Sequence, residues 1–161
     1  MPIILASDLT HLTNFSGDKK AGPVYLMLEN IVSTVRNKPS REAMILLAFL
    51  PIPQKFSKQI AAQTEDQHDM NGRILHAVLE QIFQPICGAG SNGIEIKYFD
   101  EKVLKCYPIL TASLANHEEH VRLRNLARNC CPECKVNAER LGELQEFPRR
   151  NHLNHQERIA Q

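Results

Sequence analysis

The sequence predicts a mixed α/β chain, α+β-like in its order. An antiparallel three-stranded meander comes first, then a long amphipathic helix, then a further hairpin, with a Cys-x-x-Cys knuckle near the end. Three observations predict it. Apolar runs of strand length lie within residues 2–6, 23–28 and 43–50, separated by turn-rich loops. Between Ile74 and Ile86 the apolar residues change to helical spacing. From Ile94 to Tyr98 they alternate with polar ones.

Composition bounds the answer. At 161 residues, 43% hydrophobic and 23% charged, the chain is about one domain long and can bury a core. A net charge of +1 is not the footprint of a dedicated nucleic-acid binder. No apolar run approaches ~18 residues, so no membrane helix is expected. The opening residues carry neither the basic nor the apolar region of a secretion signal. Three of the five cysteines crowd at Cys130, Cys131 and Cys134, which fits a reduced, intracellular compartment better than a disulfide framework.

The first strand, Pro2 to Ser7, has no charge until Asp8 and reads as buried. An acid at the mouth of a central strand suits a metal ligand in hydrolytic and phosphoryl-transfer folds, although Asp also commonly does no more than end a strand. Residues 11–22 are polar, with Gly17-Asp18 as the turn. Pro23 opens the second strand, where a missing N–H costs least. Arg36, Lys38 and Arg41 make a short basic patch around Pro39, by default a solvated loop. The run Ala43–Leu50 is the third strand, stopped by Pro51 and Pro53.

The helix is expected within residues 57–86. Its buried rows are Ile74, Leu75, Val78, Leu79, Ile82, Phe83 and Ile86, packed on the sheet. Gly72 weakens it by ~1 kcal/mol relative to Ala, and Gly88 or Gly90 supplies the left-handed cap at its end. Ile94–Tyr98 is a half-exposed strand, and Val103–Leu114 returns as its hairpin partner or as one longer strand. Asn116-His117-Glu118-Glu119-His120 reads as a helix start, Asn116 being the N-cap and both acids lying in the first turn. His117 and His120 could alternatively face a metal.

Cys131-Pro132-Glu133-Cys134 is the sharpest local signal, because two thiolates at this spacing can chelate one tetrahedral Zn²⁺. The other two ligands would come from His117, His120, Cys130, His152 or His155. A redox pair is the competing reading. The segment 129–161 is thereby set apart as a knuckle with a polar tail, after a core of residues 1–128.

The same residues carry a resemblance. Ile3–Thr13, Gly17-Asp18-Lys19, Pro23–Leu26, Asn30-Ile31, Arg36–Ser40, Ile45–Pro51, Cys106–Leu110, Cys131–Cys134, Leu141-Gly142-Glu143 and Phe147–Arg150 together resemble, in order, the core of the Plavaka transposases. These belong to the Kyakuja–Dileera–Zisupton group of DNA transposons, known from fungal genomes. The resemblance implies a partial ribonuclease H-like core. It also implies DNA as the partner, a nuclear setting for an active relative, and DNA cleavage and strand transfer by acidic residues holding two Mg²⁺ ions. Asp8 matches the first acid. Where the family commonly reads Asp-Tyr-Pro-Glu-Gln, this chain has Asn116-His117-Glu118-Glu119-His120, so Asn116 takes the place of the second acid and Glu119 matches the family's Glu. Family members are several times longer, so the last acid and any separate DNA-binding module are expected outside this span.

Three functions compete. The first is a remnant of a transposase catalytic domain that no longer cuts DNA. The second is a small zinc-stabilised module contacting DNA or protein through Arg36, Lys38, Arg41, Arg122, Arg124 and Arg128. The third is a residual nuclease using Asp8 and Glu119.

Overall fold

The opening apolar run forms strand β1, Pro2–Ser7, in a computed structural model that describes residues 1–12, 19–52, 64–127 and 129–150, with backbone only at 64–66. The expected Gly17-Asp18 turn, Arg128, residues 57–63 of the expected helical span, His152, His155 and the tail from residue 151 lie outside the described residues. The chain divides into two units, Met1–Ile52 with Val78–Ala115 and Pro53–Ala77 with Asn116–Gln161.

In the first unit β1 is central. It pairs antiparallel with β3 (Lys20–Leu28) and parallel with β7 (Ile109–Leu114). Strand β4 (Met44–Leu50) pairs antiparallel with the far side of β3. The expected meander is therefore present as β1, β3 and β4, with β7 added beside β1. Neighbours on both sides explain why β1 could be uniformly apolar. Ile3 is 1% exposed, and Ile4, Val24, Met27 and Leu50 are buried with it. The edge strand β4 keeps Met44, Ile45, Leu46 and Phe49 exposed.

Two irregularities tune the sheet. One residue is skipped on β4 where Val24 pairs with Ala48 and Tyr25 with Leu46. The β1–β7 register slips between Ile3 and Ile4, and there the Thr111 hydroxyl donates to the Ile3 carbonyl at 2.8 Å. Strand β3 begins before Pro23 rather than at it. A two-residue strand, β2 (Thr10–His11), continues the β1–β3 register unchanged past Asp8 and Leu9. That register sets Asp8 opposite Pro23, which has no N–H to offer, so the ladder lapses there.

The predicted basic loop contains a four-residue helix, α1 (Ser33–Arg36), and a 3₁₀ turn at Pro39–Arg41. Helix α2 (Thr64–Asn92) runs six residues past the expected end. Pro85, inside it, cannot donate to the Gln81 carbonyl. Neither Gly88 nor Gly90 is the cap. The left-handed residue is Gly93, at φ +75°, where an added Cβ would strike the Lys105 side chain. Gly90 instead lets the Pro108 carbonyl come close. Of the predicted apolar rows only Ile74 departs: Leu75 is buried, Val78, Leu79, Ile82, Phe83 and Ile86 are half-buried, and Ile74 is 47% exposed. The most buried residues of the first unit are thus in its strands, not on the helix. Strands β5 (Ile94–Lys97) and β6 (Val103–Cys106) form the expected hairpin, and the longer alternative for residues 103–114 resolves into β6 and β7.

The second unit buries Leu75, Val121, Leu126 and Val136. Gly72 is buried on α2, and an added Cβ would collide with the Asn125 side chain, so this glycine serves close packing. Asn125 itself is left-handed at φ 47°. No helix among the described residues is long and apolar enough to cross a membrane.

Candidate functional site

Asp8 stands exposed just beyond the buried Ser7, where β1 lapses into β2. The Thr10 hydroxyl donates to the Asp8 backbone carbonyl at 3.5 Å. Because β1 and β7 are parallel and Ala6 pairs with Leu114, the two strands finish side by side.

Two residues after Leu114 the chain enters helix α3 (His117–Leu123). Asn116 is its N-cap, as the sequence predicts, and the Asn116 Oδ1 accepts from the Glu119 N–H at 2.8 Å. Glu118 and Glu119 occupy the first turn, favourable at a helix N-terminus. The Glu119 side chain is only 2% exposed. Its two oxygens accept from Arg122 Nε at 3.1 Å and Arg122 Nη2 at 2.9 Å. Such a fork compensates the charge of a buried carboxylate and fixes its orientation. The sequence contained a signal for it, an acid and an arginine three apart on one helix.

The knuckle is built on a short antiparallel pairing. Cys134 pairs with Arg149, Lys135 N–H donates to the Pro148 carbonyl at 2.8 Å, and Arg150 N–H donates to the Glu133 carbonyl at 2.9 Å. Two guanidinium groups pin the turn. Arg150 Nε donates to the Cys131 carbonyl at 2.9 Å, and Arg124 donates to the Pro132 carbonyl while pairing with Glu133 at 2.9 Å. Neither arginine was recognisable as a knuckle residue beforehand, since one precedes the motif by seven positions and the other follows it by sixteen.

Inside the turn the Cys131 sulfur accepts from the Glu133 N–H at 3.4 Å. Burial pushes the Cys131 thiol up, but hydrogen bonding from Cys134 and Glu133 outweighs it and holds the thiol below its ordinary value. Among the described residues no three His, Cys, Asp or Glu side chains converge to hold a metal ion, and two of the anticipated zinc ligands, His152 and His155, lie outside them. His117 and His120 sit on α3 without joining such a group.

The basic patch divides by role. Arg36 donates to the Glu29 carbonyl at 3.1 Å and the Ile31 carbonyl at 3.4 Å, fastening the turn after β3. Lys38 and Arg41 are exposed around the 3₁₀ turn.

A family model described as Plavaka transposase matches residues 1–161, the whole chain. Neither a curated protein nor a solved structure matches it.

Proposed function

The chain belongs to the Plavaka transposase family, and from that premise we propose that it is a transposase-derived protein whose catalytic centre no longer cuts or joins DNA. The observation that carries this proposal is the use made of the two positions nearest the family's second acid. Asn116 offers a neutral amide, and that amide is engaged as a helix cap. Glu119 keeps its carboxylate, but both oxygens are engaged by Arg122.

The β4–β3–β1 antiparallel order with β7 parallel to β1 supports a partial ribonuclease H-like core over residues 1–128, followed by the knuckle segment 129–161. Family membership implies dependence on a divalent metal. Mg²⁺ needs several hard oxygen ligands, and the described residues offer no converging group of three donors, so the donor set does not fit it. What these residues do instead is structural. Asn116 satisfies an otherwise orphaned N–H at the start of α3, and the Glu119–Arg122 fork closes off a buried charge that would be costly alone. Asp8 retains its place after β1.

The test is nicking of supercoiled DNA with Mn²⁺, comparing the chain with its Asp8→Ala variant. No cleavage above background in either is expected. Cleavage that needs both Asp8 and the metal would overturn the proposal and favour the residual nuclease on Asp8 and Glu119.

A second reading, a DNA-contacting module, is favoured by the exposure of Lys38 and Arg41. Replacing both by Ala would then lower DNA affinity and flatten its salt dependence by about two counterions. An unchanged salt slope would remove that reading.

A further inference from the structure

We infer that β4 is a docking edge for a second copy of this chain, the two β4 strands pairing antiparallel across a two-fold axis into one continuous sheet.

Three observations carry it. Strand β4 pairs with β3 on one side, and among the described residues no strand pairs with the other, which makes it a sheet edge with a row of backbone N–H and C=O groups turned outward. The seven residues Met44–Leu50 carry no charged or polar side chain, whereas exposed edges are ordinarily blunted by charge. The bulge then sorts these side chains. Opposite residues share a face, and Met44, Leu46 and Phe49 stand opposite Met27, Tyr25 and Pro23, which alternate along β3. Skipping Leu47 therefore gathers Met44, Leu46 and Phe49 into one strip, where an unbroken ladder would turn Phe49 to the other face. The three are 48%, 45% and 61% exposed, although Met27, opposite Met44, is only 4% exposed.

Charge and symmetry select the occupant. With the two-fold axis between Leu46 and Leu47, Met44 faces the second copy's Phe49 and Ile45 faces its Ala48, and each pair matches in face as pairing requires. The two Leu46 side chains meet near the axis. Thioether–aromatic contacts are favourable, and the symmetry supplies two of them. The flanking charges stay apart, because Glu42 falls opposite Pro51 and Arg41 opposite Ile52. A parallel pair would instead set Arg41 against Arg41 and Glu42 against Glu42. The opposite edge, β7, is interrupted by Thr111 and Ser113. Pairing β4 on β7 would also be head-to-tail and open-ended, whereas the β4 pair closes at two copies. One strand pair is a small interface, so association is expected on the order of micromolar.

The test is sedimentation equilibrium of the reduced full chain from ~1 to ~500 μM, with a monomer–dimer equilibrium expected within that range. Met44→Lys and Phe49→Lys should each weaken dimerisation by ~10–100-fold. Leu110→Lys, at a 54% exposed position on β7, should leave it unchanged. Hydrogen exchange of the unsubstituted chain removes any dependence on how the variants fold: amides of β4 should exchange more slowly at high concentration than at low, and those of β7 should not change. A monomeric mass throughout, growth beyond the dimer, a dimer equally strong in Phe49→Lys, or concentration-dependent protection of β7 in place of β4 would overturn the proposal.

Discussion

The strands of the first unit and the α3–knuckle region of the second are held by different forces. Around β1, stability comes from stacked apolar side chains and continuous ladders, with Ile3, Ile4, Val24, Met27 and Leu50 buried. In the second unit Leu75, Val121, Leu126 and Val136 are the buried apolar residues. Much of its order there comes from side chains fastening particular backbone and carboxylate atoms: Asn116 on α3, Arg122 on Glu119, and Arg124 and Arg150 on the knuckle. Burial scales with area and tolerates small displacement, whereas a hydrogen-bond fork depends on direction. The first region should therefore respond to lost volume, and the second to lost caps, close contacts and protons.

The largest effect expected is from Ile3→Ala. Removing a side chain that is 1% exposed between two paired strands should cost ~2–5 kcal/mol by denaturant unfolding. A cost below about 1 kcal/mol would mean that β1 is not the centre of its sheet. In the second unit, Gly72→Ala should destabilise by ~1–3 kcal/mol, since the new methyl group meets Asn125. In an Asn125→Gly background the same change should become neutral or stabilising, because Ala exceeds Gly in helices by ~1 kcal/mol. Additive behaviour in that cycle would deny the contact.

Asn116→Ala should cost ~1 kcal/mol, and Asn116→Asp should remain within ~0.5 kcal/mol of the starting chain, because Asp caps a helix as well as Asn does. Equal losses for both would show that the cap is not what residue 116 supplies. The smallest effect is pH-dependent. Burial holds the His76 imidazole below its ordinary value of 6.5. The unfolded chain then binds more protons, so stability is intact above about pH 6.5 and falls as the pH drops towards the folded value. Thermal unfolding midpoints should decline over that window and decline less in His76→Gln.

The same contrast explains what was legible in the sequence. The strands β1 and β4 and the β5–β6 hairpin follow from runs and alternation, which report burial directly. The α3 cap was legible too, because Asn116 and two first-turn acids are a local signature. The end of α2 was not. Cys87 to Asn92 holds two glycines and a serine and resembles a loop, yet the helix continues until Gly93, the residue whose positive φ stops it. Gly72 was legible only as a weakness, since its value lies in a partner more than fifty positions away. The separation of β6 from β7 depended on pairing with β1, which local periodicity does not encode. At the knuckle the Cys-x-x-Cys spacing announced two sulfurs, but not that Arg124 and Arg150 would grip its backbone.

The central claim of the proposed function is that the two positions nearest the family's second acid, Asn116 and Glu119, carry structural tasks here and do not gather a metal with Asp8. Broadening of backbone amide signals by Mn²⁺ tests it directly, without relying on catalysis. At one equivalent of Mn²⁺, the amides of Asp8 and Glu119 should broaden no more than those of exposed acids such as Glu95 and Glu101. Selective broadening of Asp8 and Glu119 together at substoichiometric Mn²⁺, abolished in Asp8→Ala, would contradict the claim.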